Sequence, residues 1–143
     1  MKLMRKGKGK GKGKERGQSL TEMALVLPVI LFILAGVLDL GRLYFVTVAL
    51  TDAAAEGATF AAIDPDATSV EILSRAQAAS GGLVPLDAGM VTVQRPVVAP
   101  GAPVTVTVGY TFTIATPLIN LIVPDGELRL QGVASEPIVA GEM

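Results

Sequence analysis

The sequence predicts an α+β fold: a long N-terminal membrane-spanning helix, a short second helix, then a small antiparallel three-stranded sheet packed on the extended helix. Three observations carry this. Met23 to Leu38 runs without a charge, Thr68-Ser69-Val70-Glu71 has the form of a helix start, and apolar residues alternate with Thr and Gly from Val104 to Ile114.

The basic N-terminal stretch comes first in chain order. The formal net charge of −1 hides an asymmetry, because eight of the twelve Lys and Arg lie in residues 1–17 beside a single acid, Glu15. The rest of the chain is strongly acidic. Gly7–Lys14 alternates Gly and Lys, so backbone freedom and mutual repulsion predict no fixed structure there. Such a tail can bind nucleic acid or anionic lipid. No aromatic residue is interleaved for base stacking, and a hydrophobic span follows directly, so lipid is the expected neighbour and nucleic acid is not.

Leu20 to Leu38 is nineteen residues, about 28 Å as a helix and enough to cross the hydrocarbon core. A soluble core helix keeps one polar face, whereas Met23–Leu38 is apolar all round. Lys and Arg flanking a span stay in the cytoplasm, which puts residues 1–17 inside and the acidic remainder outside the cell (inner) membrane. A secretory signal peptide has a shorter apolar region followed at once by a small-residue cleavage site; Ala53-Ala54-Ala55 lies too far on. Pro28, inside the helical pattern, lacks one backbone donor and predicts a kink. Ser19-Leu20-Thr21-Glu22 has the form of a capping box, with Ser19 as N-cap. Asp39 and Arg42 share a helix face at the outer edge and read as a solvated pair.

The helical pattern continues to about Ile63. Two rows of small residues, Ala53/Gly57/Ala61 and Ala54/Ala58/Ala62, allow close approach of a neighbouring subunit or of the chain's own domain. Asp64-Pro65-Asp66 breaks the helix, and a second helix is expected from the Thr68–Glu71 box to about Ala79, stopped by Ser80-Gly81-Gly82. One strand is expected around Val91 and Val93, resuming after a break at Val97. A second, the strongest, runs through Val104–Ile114 after the turn Pro100-Gly101-Ala102-Pro103. Thr116-Pro117 to Pro124-Asp125-Gly126 reads as an apolar loop or short helical turn, and a last strand spans about Glu127 to Ser135. The sequence thus divides into a leader at 1–17, a long helix at 18–63 and an extracytoplasmic α+β domain at 64–143.

Composition removes most chemistry. With no Cys and no His, disulfides, thiolate metal sites, Cys nucleophiles and the commonest general base are all excluded. Gly7–Lys14 lacks the flanking strand and helix of a phosphate loop. Asp64/Asp66 and Asp125/Glu127 are too few oxygens for calcium. The serines have no evident base. No catalytic residue, metal or cofactor is expected, and the chain reads as a non-enzyme.

The junction Arg16-Gly17-Gln18-Ser19-Leu20-Thr21-Glu22 joins a basic leader ending in Gly to an acid five residues later and then a long apolar helix. This resembles a type IV prepilin processing site. The run Glu22-Met23-Ala24-Leu25-Val26-Leu27-Pro28 is similar to the Glu-aromatic-Ala-Leu-Val-Leu-Pro core of the TadE-like pseudopilins of tight-adherence systems, with Met23 in place of Phe or Tyr. Gly36-Val37-Leu38-Asp39-Leu40-Gly41-Arg42 looks like the same family's anchor, and Tyr110–Val123 resembles its carboxyl half less specifically.

The resemblance implies a pilin-like arrangement and cleavage between Gly17 and Gln18 by a membrane-embedded prepilin peptidase. Glu22 would then be the fifth residue of the mature chain, pairing with a neighbour's new amino terminus; Glu22 and Met23 would serve peptidase recognition and assembly. The implied partners are that peptidase, other pilin or pseudopilin subunits, the pilus assembly platform in the membrane and the lipid bilayer. The expected function is that of a minor pilin or pseudopilin, with adhesion or secretion as its setting. The alternative is a permanent single-pass anchor, its basic tail on anionic lipid and its outer domain binding a ligand.

Overall fold

The structure is a computed structural model, and it describes residues 12–82, 84–117, 119 and 122–139. Helix α1 (Lys12–Ile63) is followed by α2 (Ser69–Ala79), β1 (Val91–Gln94), β2 (Pro103–Thr113) and β3 (Glu127–Pro137). The strands form one antiparallel sheet in the order β1-β2-β3. This is the expected α+β arrangement, a long apolar helix, a short second helix and a three-stranded sheet.

Helix α1 divides by what covers it. From Leu20 to Leu38 its large apolar side chains stand exposed, with Leu25 73 % and Leu31 56 % accessible. Beyond Leu38 the same helix turns one face inward, burying Asp39, Ala49, Leu50 and then both rows of small residues. Those rows pack on the chain's own domain. Exposed apolar surface on this scale needs a hydrocarbon or protein cover.

The helix stops where sequence chemistry says it must. Residue Asp64 precedes a proline, which disfavours helical backbone, and its carboxylate accepts the Asp66 N–H at 3.2 Å to form a local turn. The next helix opens on a complete capping box: the Glu71 N–H donates to Thr68 Oγ1, and Glu71 Oε2 accepts from the Thr68 N–H at 2.8 Å. The backbone bond from Thr68, with its hydroxyl second, holds the Glu71 carboxyl below its ordinary pKa. Gly81 and Gly82 take positive φ after the last turn.

In the sheet, Val104, Val106, Val108, Tyr110 and Phe112 face α1, and Val91 and Val93 pair with Val108 and Val106 on the same side. Ile72 and Ala76 of α2, with Val84 and Leu86, close the core. Val108 pairs with Gly132 of β3, and a Cβ at Gly132 would stand 2.1 Å from the Leu50 carbonyl oxygen. Backbone meets backbone at that point.

Four expectations are corrected. The helix begins at Lys12 rather than at 18, so Ser19 lies within it and cannot be its N-cap; Glu22 instead accepts from Gln18 one turn earlier. The reading of Gly7–Lys14 as unstructured is overturned from Lys12 onward, and its earlier part lies outside the described residues. Strand β1 ends at Gln94 and Val97 is exposed, because Pro96 has no N–H to extend the ladder. Strand β3 runs two residues further than expected, to Pro137.

Candidate processing and assembly site

Gly17, Gln18, Glu22 and Met23 sit within about two consecutive turns of α1, all exposed. A side chain at Gly17 would meet nothing within 4 Å. The Gly17 carbonyl accepts from Thr21 Oγ1 at 2.9 Å, and Gln18 Nε2 donates to Glu22 Oε1 at 3.2 Å. Both bonds link residues one turn apart and need no support from the rest of the fold. Ser19, Glu22, Met23, Val26, Leu27 and Ile30 line a shallow, mainly apolar groove along one face of the helix. Pro28 lies within α1, which continues as helix on both sides of it.

The second polar centre of the molecule lies at the other end of the apolar segment. Asp39 is buried, and Thr116, in the connection after β2, gives it two hydrogen bonds: its N–H donates to Oδ2 at 2.6 Å and its hydroxyl to the same oxygen at 2.5 Å. Arg42 Nη1 donates to Oδ1 at 3.0 Å while its guanidinium carbon lies 5.2 Å from the centre of the Phe112 ring. The expected solvated Asp39–Arg42 pair is therefore corrected. Asp39 ties the sheet to the helix, and Arg42 is held over an aromatic face as well.

Sequence reasoning passed over this contact because Asp39 and Thr116 are 77 residues apart and no local spacing joins them. The opposite end of the domain is fastened too, through the Val139 N–H to the Ala62 carbonyl at 2.9 Å. Replacing Asp39 with alanine should release the lower fastening. Hydrogen exchange at the Thr116 amide is expected to quicken by about tenfold or more, with the Val106 amide much less affected; equal rates in variant and parent would remove the tethering role.

Elsewhere, Arg75 stacks at 4.8 Å over Phe60, and Arg95 donates to the Ala67 carbonyl at 2.9 Å. These cations brace the link between α1 and α2. Among the described residues no three acidic side chains converge on a common point.

A family model described as TadE-like protein matches residues 17–59. That stretch begins at Gly17, covers the exposed apolar half of α1 and ends within the alanine-lined half that carries the sheet. No curated protein and no solved structure matches the chain. Among the described residues one helix is long and apolar enough to cross a membrane, and it is the helix that carries the match. Residues 17–59 of α1 are thus similar to the TadE-like family, and the similarity is confined to this helix.

Proposed function

We propose that this protein is a structural subunit, a minor pilin or pseudopilin, of a tight-adherence type pilus. It is made with a cytoplasmic leader, held by α1 in the membrane with its α+β domain outside, cut between Gly17 and Gln18, and assembled through the hydrophobic helix. The observation that carries the reading is the division of α1. Met23–Leu38 is apolar and its large side chains are exposed, while the buried core of the domain packs on the helix only beyond Leu38. Such a helix suits a bilayer before assembly and a bundle of like helices after it.

Glu22 follows from the same reading. An acid beside an apolar helix is costly in hydrocarbon unless paired, and cutting at Gly17 would create an amino group one turn away for a neighbouring subunit to offer. The exposed position of Gly17 and the purely local bonds of Gln18 and Thr21 support access by a peptidase. Adhesion or secretion would be the setting in which the assembly works.

Intact mass and amino-terminal sequencing of the protein from its native membrane fraction test this. A mature chain beginning at Gln18 is expected, and Gly17→Val should leave the full-length chain, since a branched side chain replaces the missing one. A native chain that keeps residues 1–17 would instead establish the permanent anchor, with its lysines on anionic headgroups.

A further inference from the structure

Ile119 and Ile122, between β2 and β3, lie beside the apolar half of α1. Between them and the helix is an open cleft of about 420 Å³, lined by Phe32, Ile33 and Gly36 of the helix and by Phe112, Ile119 and Ile122 on the other side. Phe32 is six residues short of Leu38, the outer end of the uncharged run, which places it about 9 Å inside that end. The chain from Ile114 to Pro124 has no charged residue, and Ile122 is 78 % exposed. The two bonds from Thr116 to Asp39 fix the connection at the membrane edge.

We propose that Ile119 and Ile122 enter the outer half of the bilayer beside the span, and that the cleft between them and α1 is filled by lipid acyl chain. This rests on the reading of Leu20–Leu38 as the membrane span. The cleft is continuous with the exposed apolar surface of that span and straddles its outer end, from Phe32 to Leu43 of the helix, so the medium that covers the span reaches into it. Interfacial elements typically bury about 5–10 Å into the boundary between headgroup and chain, matching the depth given by Phe32. An exposed isoleucine in an uncharged connection is costly in water and favourable there.

The absence of cysteine makes the test direct. Full-length single-cysteine variants Leu27→Cys, Ile122→Cys and Val97→Cys would carry an environment-sensitive fluorophore in phosphatidylcholine–phosphatidylglycerol vesicles. Quenching is read from lipids brominated on their chains and from aqueous iodide. Chain-bromine quenching at Ile122 is expected to fall within about twofold of that at Leu27 and well above that at Val97. Iodide quenching of the Ile122 probe at the level of Val97, with Leu27 still quenched by lipid, overturns the proposal and leaves the span intact. Protection of the Ile122 probe from both quenchers overturns it in favour of a second copy of the chain covering the cleft. Failure of lipid to quench at Leu27 removes the span and the proposal with it.

Discussion

Replacing Gly132 with alanine is expected to destabilise the α+β domain by about 3 kcal/mol or more, the upper end of what overpacking costs. The new Cβ would lie 2.1 Å from the Leu50 carbonyl oxygen, 2.4 Å from its carbon and 2.8 Å from the Thr51 nitrogen. All three are backbone atoms in the middle of α1, so no side chain can swing aside. The sheet must move off the helix, and Val108, paired with Gly132, must move with it. Gly109→Ala is the matching control, because its Cβ would meet only the Met90 carbonyl oxygen at 3.9 Å. Urea unfolding of the full chain in detergent, followed by circular dichroism, should show a large fall in midpoint for the first and little change for the second. Equal midpoints would mean that the helix and sheet do not meet at Gly132.

Leu50→Ala is expected to cost about 3 kcal/mol in the same assay, within the range for a fully buried leucine. Leu50 is 0 % exposed between the sheet and the helix, and its loss leaves a cavity that the surrounding alanines are too short to fill. Leu31→Ala makes the same chemical change on the same helix, yet should shift domain unfolding by less than about 0.5 kcal/mol, because Leu31 stands clear of the domain. The contrast tests the division of α1 on which the proposed function depends. A comparable loss at Leu31 would show that the domain leans on the apolar half as well.

Local patterns were legible where one face of an element is buried and the other is not. Val104, Val106 and Val108 alternate with threonines in β2 because only one side of the sheet meets the helix. The capping box at Thr68 and Glu71 was readable because its donors and acceptors lie three residues apart. The small residues of α1 showed that something packs closely there, though spacing alone does not distinguish the chain's own sheet from another subunit. Val97 misled because a valine after a break looks like a strand residue, while Pro96 is what decides the ladder.

Helix α1 starting at Lys12 was hidden for another reason. A strong helix extends into a Gly-Lys segment that would not hold one alone, and nucleation by its neighbours overrides local propensity. Of the candidate site, the stretch Gly17–Pro28 was readable because its meaning lies in residue order. The Asp39–Thr116 bond was not, because it depends on how the sheet lies along the helix.

That lie has a mechanical consequence. The domain is fastened to α1 near Asp39 and again at Ala62, about 35 Å apart along the axis. Between these points Gly132 is seated against the Leu50 carbonyl like a detent in a ratchet. A pull along the axis loads the two fastenings and the detent together in shear, and sliding by two residues would bring the side chain of Leu130 or Ala134 against the helix backbone. A force on the α+β domain is thereby shared among these three contacts with α1.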